Sequence, residues 1–320
     1  MKIAILGAGA LGSLIGAYLA RAGEEVTLIA RGKRAKHLHE HGVVVKGLTE
    51  FTVHTKVVDR PEEVKEADVL LVAVKTYDME EALKTVNHVE AGSVLSVQNG
   101  VLKNDQLARY FGRGKTLGAA VSISAEVAAT GDVRLMLNES LYIGELPEGT
   151  SERVQKLANI FANSGIHVEV SPQIQSVEWS KYLVWMSLMV VSVLTRFETH
   201  KLLKDPDIAS VMVMLGRETA QLSAKLGIPL GDYGRFRAKT FTSVSIEKAV
   251  AGFRQIGEML EAQGATAVKV SSLQDLERGR RIEVEESLGY ALQKGIELDV
   301  RLPITETCYR LLTGLNRHLS

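Results

Sequence analysis

Cysteine is almost missing from this 320-residue chain, where Cys308 stands alone. A single thiol builds neither a disulfide nor a multi-thiolate zinc site, which suits a reducing compartment. Net charge is missing too, with 38 basic residues (Lys and Arg) against 38 acidic ones. No global field therefore draws the chain to nucleic acid or to an anionic membrane, and any anion must be held by a local site. Glycine and proline are not enriched, and no repeat or low-complexity tract is present, which excludes fibrous and disordered classes. The longest apolar run, residues 182–195, has about 14 residues against the ~20 that a bilayer span needs, so it reads as a buried helix. The opening MKIAILGAGALG lacks the basic flank and cleavage region of a signal peptide. Together these absences predict a cytoplasmic protein with neither a nucleic-acid nor a membrane partner.

What is there is a folded-protein composition, 46% hydrophobic and 24% charged, long enough for two domains. In the first half, β-rich runs at 2–6, 25–30, 68–74 and 93–97 alternate with helix-like or loop segments. That alternation predicts a parallel sheet with crossover helices. Further strands are expected at 116–122, 131–137, 140–143 and 166–170, with a helix over 151–164. After Ser171-Pro172 the apolar spacing turns helical, with helices expected around 206–227, 241–264 and 272–294 and Pro303 opening the last. The expected fold class is α/β, a Rossmann-type doubly wound sheet over 1–171 followed by an all-helical domain over 172–320.

Gly7, Ala8, Gly9, Ala10, Leu11 and Gly12 form a G-x-G-x-x-G loop between the first strand and an apolar helix. In that setting the first glycine makes the tight turn and the second lets backbone approach a pyrophosphate. The third packs helix on strand, and the helix N-terminus faces the phosphates. An NAD site wants an acid at the end of the second strand. This chain has Arg31 there, followed by Lys33 and Arg34, and a guanidinium grips a 2′-phosphate. The expected cofactor is NADPH/NADP+, bound by residues 7–12 and Arg31.

Five further segments extend the pattern: Lys75 in VKTYD, Asn99 in VQNGV, Lys181 in WSKYL, SSLQDLERGRRIE from Ser271 to Glu283, and LPITETCYRLL near the end. In order and spacing the whole chain resembles the ketopantoate reductase (2-dehydropantoate 2-reductase) family. The resemblance implies an NADPH-dependent oxidoreductase that reduces a 2-oxo acid to a 2-hydroxy acid in pantothenate biosynthesis, working in a cleft between a Rossmann and a helical domain. It implies Lys181 as proton donor, Asn99 beside nicotinamide and substrate, and Lys75 beside the cofactor. Glu283 corresponds to an acid across the cleft, either tuning the lysine or contacting cofactor. Ser271 corresponds to a substrate-contacting serine, although it could instead cap a helix. Ala125 aligns, across a gap, with a cofactor-contacting alanine. A cation and donor at the carbonyl oxygen is also what hydride addition to a ketone requires on chemical grounds.

One departure concerns substrate. The family's helix carries asparagines one and two turns beyond the lysine, and a third later on. Here Trp185, Met189 and Thr199 stand at those positions. Losing amides costs a polar substrate its partners, so a more apolar or aromatic 2-oxo acid is expected, with Trp185 and Met189 lining its site; the alternative is that both are core residues. Other readings of the chain are a 3-hydroxy acid or imine reductase and a non-catalytic NADPH sensor. His37 and His41 have metal-ligand spacing but no third ligand, so no metal is expected. The apolar helical half is compatible with a homodimer.

Overall fold

The structure, a computed structural model, describes residues 1–319 and divides into two compact units, Met1–Glu178 and Trp179–Ser320. The first unit opens with β1 (Lys2–Leu6), α1 (Ala10–Arg21), β2 (Glu25–Ile29) and α2 (Gly32–His41). Three short strands follow, β3 (Val43–Gly47), β4 (Phe51–Val53) and β5 (Lys56–Val58). Then come β6 (Glu66–Val72), α3 (Met79–Val86), β7 (Glu90–Ser96) and α4 (Leu102–Phe111). The unit ends with β8 (Leu117–Val127), β9 (Val133–Glu145), α5 (Glu152–Ser164), β10 (Val168–Val170) and the first turn of α6 (Ile174–Thr195).

Five strands make an all-parallel sheet in the order β5-β2-β1-β6-β7. Alternation along β1 explains why helices cover both faces. Ile3 and Ile5 enter one core with Leu14, Ile15 and Leu19 of α1, whereas Ala4 and Leu6 enter another with Met79, Leu83 and Val86 of α3. The order reverses between β1 and β6, so the carboxyl ends of these neighbouring strands frame the crevice where such sheets bind ligands. A second sheet runs β10-β9-β3-β4, with β8 paired antiparallel to β9 through two register shifts. The two strands expected at 131–137 and 140–143 are one, β9.

The second unit holds the rest of α6, α7 (Thr199–Lys204), α8 (Pro206–Lys225), α9 (Ala238–Ser243) and α10 (Ile246–Ala262). It continues with α11 (Ser271–Glu277), a π-helical turn at Glu285–Gly289, α12 (Tyr290–Leu298) and α13 (Pro303–Asn316). It is helical apart from a small hairpin, β11 (Asp232–Tyr233) with β12 (Phe236–Arg237), which the sequence pattern did not show. Two expected helices are broken. Ser245, extended and accepting from Lys248 N–H, starts α10 afresh. Residues 272–294 are interrupted because Gly279 adopts φ +65°, with its N–H on Leu276 O and the Arg280 N–H on Asp275 O. That pair of bonds is a Schellman stop. By length and composition α6 could cross a membrane, but 78% of its apolar window is buried inside the fold. The division between units falls within α6, between Glu178 and Trp179, rather than at residue 171.

Gly12 shows how tightly α1 is set on β1. A Cβ there would lie 2.0 Å from the Gly7 carbonyl oxygen and 3.1 Å from the Ala73 Cβ. Gly12→Ala is therefore expected to cost at least about 3 kcal/mol, the upper end of overpacking. In thermal melting that is a fall of very roughly 5–12 °C for a unit this size. Gly9→Ala, whose Cβ meets no atom within 4 Å, should melt with the parent; equal melting of Gly12→Ala would refute the packing argument.

Candidate active site

The sheet brings three sequence-predicted features to adjacent strand ends. The glycine loop, residues 7–12, follows β1; Lys75 follows β6 by three residues; Asn99 follows β7 by three residues. Gly7 sits at φ +100° with Val74 packed where a side chain would be, so only glycine makes this turn. Gly9 is exposed at the N-cap of α1, whose first turn carries no acid. An open backbone loop leading into an acid-free helix N-terminus fits a dinucleotide pyrophosphate.

The basic trio divides its labour. Arg31 and Lys33 are exposed. Arg34 turns inward: its Nε donates to Ala8 O at 2.9 Å, Nη1 to Gly131 O at 2.6 Å and Nη2 to Ser13 Oγ at 2.9 Å. Ser13 Oγ also donates to Ala8 O at 2.8 Å. Arg34 thus braces the glycine loop from behind, leaving Arg31 and Lys33 as the solvent-facing cations at the end of β2. Ala125 lies on β8 in the second sheet, at a register shift, partly buried against the main core.

In the second unit Lys181 is 7% exposed on α6, flanked by Ser180, whose Oγ accepts from Gly231 N–H at 3.0 Å, and by Tyr182. Glu283 is 4% exposed. The helix expected around 272–294 would have included Glu283; the Schellman stop instead puts it in the non-helical stretch 278–284, between buried Ile282 and Val284. Tyr182 Oη donates to Ser287 O at 2.8 Å, and Ser287 Oγ donates to Glu283 O. A short chain of hydrogen bonds therefore fixes the Glu283 segment to the helix that carries Lys181.

Ser271 is exposed in the first turn of α11. Val270, not Ser271, takes the N-cap position, and no side chain caps the helix. Trp185 is partly buried, whereas Met189 is fully enclosed and in this conformation presents no surface to a ligand. Four buried hydroxyls, of Ser192, Thr199, Ser272 and Thr313, have no hydrogen-bond partner among the described residues. Ser192 lies eleven residues beyond Lys181, three helical turns on and about 20° off its face. Periodicity counted from the lysine could have found it. A small cavity lined by Leu183, Ser187, Met212, Gly216, Phe241 and Phe253 includes none of the predicted site residues.

Glycine loop, parallel-sheet crevice and a helical unit with a buried lysine and glutamate define the class: an oxidoreductase working with a nicotinamide dinucleotide. Residues 3–148 match the family model "Ketopantoate reductase PanE/ApbA" and residues 173–316 its C-terminal counterpart. The chain is 30% identical over 318 residues to the 2-dehydropantoate 2-reductase of Archaeoglobus fulgidus, covering 99% of each. The crystal structure of a PanE/ApbA family ketopantoate reductase from Ralstonia eutropha JMP134 superposes with a TM-score of 0.84 at 27% identity, covering 100% of this chain and 99% of that one. A D-mandelate dehydrogenase solved with NADH and anilino(oxo)acetate shares the fold, with a TM-score of 0.86 at 21% identity over 100% of this chain and 99% of its own. This chain belongs to the ketopantoate reductase family, whose members are oxidoreductases acting on CH–OH groups with NADPH.

Proposed function

We propose that this protein is a cytoplasmic, NADPH-dependent reductase that converts a 2-oxo acid of apolar or aromatic character to its 2-hydroxy acid. The observation carrying the reading is the alignment of the glycine loop, Lys75 and Asn99 on three adjacent parallel strand ends. When bound, NADPH supplies hydride to the carbonyl carbon. The protein's own part is to hold and polarise. Residues 7–12 receive the pyrophosphate on backbone N–H groups, Arg31 takes the 2′-phosphate, and Lys75 and Asn99 flank the nicotinamide end. Lys181 donates its proton to the carbonyl oxygen as negative charge builds there, and burial raises the worth of that cation. Asn99 and Ser271 orient the substrate, and Glu283, enclosed with Lys181 in the same unit, holds the ammonium or contacts the cofactor.

Substrate preference follows from Trp185. An indole stands where the family presents an amide, so the wall favours an apolar substituent. Met189, being enclosed, adds to that wall only from behind. NADPH oxidation measured across 2-oxo acids of graded size and polarity should give a kcat/KM for aryl or branched-alkyl acids about tenfold above that for ketopantoate, the worth of one or two methylenes of apolar contact. Trp185→Asn should narrow or reverse that ratio. Ketopantoate as the best substrate would refute the preference, and no turnover of any 2-oxo acid would refute the reductase itself.

A further inference from the structure

A fully buried ion pair lies directly behind the strand ends just described. Lys103 occupies the core-facing side of α4 with Leu107. Its Nζ donates to Ser96 O at 3.0 Å, to Gln98 O at 3.1 Å and to Ala119 O, and stands 3.4 Å from Glu178 Oε1. Glu178 also accepts from Ala119 N–H at 2.9 Å and from Asn104 Nδ2 at 2.6 Å. Gln98 completes the arrangement: its Nε2 donates to Val74 O at 2.7 Å, and its Oε1 accepts from Ser96 Oγ at 2.9 Å.

Two of these bonds fall on the carbonyls that precede Asn99 and Lys75. The peptide unit is planar, so fixing the Gln98 carbonyl fixes the N–H and Cα of Asn99, and fixing the Val74 carbonyl does the same for Lys75. We infer that Lys103, Glu178 and Gln98 are positioning residues that preset the backbone of Asn99 and Lys75 for the nicotinamide dinucleotide, an inference that rests on the NADPH reading. Stability alone gives little reason for the pair, because burying two charges costs more solvation than their attraction reliably returns. Burial pushes the Lys103 ammonium down from its ordinary pKa and the Glu178 carboxyl up, each partly offset by the other's charge. What the pair provides is a four-way junction joining the loop after β7, the start of α4, β8 and the first turn of α6.

The test is NADPH affinity and steady-state kinetics of the double variant Lys103→Met/Glu178→Gln, which removes both charges and strands neither. With the fold verified by melting, Kd for NADPH should rise about tenfold, the worth of one charge-assisted hydrogen bond, with a fall in kcat alongside. Gln98→Met, which releases only Val74 and Ser96, should raise Kd in the same direction by a smaller factor and serves if the double variant does not fold. Phe161→Leu, in the core of the same unit on α5, should lower the melting temperature and leave Kd unchanged. A folded double variant, or a folded Gln98→Met, with the parent's Kd and kcat overturns the inference alone. A parent that binds no NADPH overturns the underlying reading and the inference with it.

Discussion

Lys181→Ala is expected to lower kcat by about 10²–10⁴-fold, the range one general acid supplies, while leaving NADPH affinity within about twofold, because the loss falls in the transition state. Lys181 is set among buried neighbours on α6, with Trp179 3% and Tyr182 1% exposed. The ammonium is therefore poorly screened by water, and under the proposed mechanism it would interact strongly with the alkoxide. Melting beside the parent verifies that the variant is folded. One further readout separates proton donation from packing. Lys181→Arg keeps the positive charge but donates poorly, because a guanidinium is not deprotonated in the working pH range, so it should remain far below the parent. An alanine variant that turns over like the parent ends the mechanism.

Tyr182→Phe probes the same locality more gently. It deletes one hydroxyl and so frees the Ser287 carbonyl from α6. If that tether positions Glu283, kcat should fall several-fold, with a stability cost of about 0.5–1.5 kcal/mol for one lost hydrogen bond, because the Ser287 carbonyl keeps its Tyr290 N–H partner. An unchanged kcat in a destabilised variant would make the bond structural only.

How much of this was legible in the sequence depends on how far apart the interacting residues lie. The glycine loop is contiguous, its constraints are local, and β1 matches the expected 2–6 residue for residue. The helical second half was legible from its spacing, but its stops were not: Gly279 and Ser245 end or begin helices inside runs whose apolar period continues. Missing the first of these ran an expected helix through Glu283, which lies in a buried non-helical stretch. The short strands β3, β4 and β5 were missed because three to five residues carry almost no periodicity. Lys103 and Glu178 were missed for a different reason. Each is a charge inside an apolar pattern, a visible anomaly, but the partners that make sense of it lie elsewhere, as with Asn104 and Glu178, 74 residues apart. Arg34 read as one of three equivalent cations until its contacts with Ala8, Ser13 and Gly131 were in view.

That reassignment sharpens the cofactor prediction. With Arg34 committed to the back of the glycine loop, the proposed 2′-phosphate contact would fall to Arg31, assisted by Lys33. Arg31 stands just past β2 in an extended conformation, φ −122° and ψ 153°, immediately before α2. It is exposed, so its removal should leave folding untouched. Arg31→Ala is expected to weaken NADPH binding by about 10–100-fold, the loss of charge-assisted hydrogen bonds worth roughly 1.5–3 kcal/mol, with NADH affinity unchanged. Arg31→Glu adds repulsion toward the phosphate and a carboxylate acceptor for the ribose hydroxyls, so the NADPH-to-NADH affinity ratio should move by about 10²–10³-fold. Because the contact is exposed, the parent's NADPH affinity should also fall with ionic strength more steeply than its NADH affinity, and Arg31→Ala should erase that difference. Arg34→Ala should instead weaken both nucleotides together, through the loosened loop. If Arg31→Ala weakens NADH as much as NADPH, Arg31 is not reading the 2′-phosphate and the discrimination lies elsewhere in the chain.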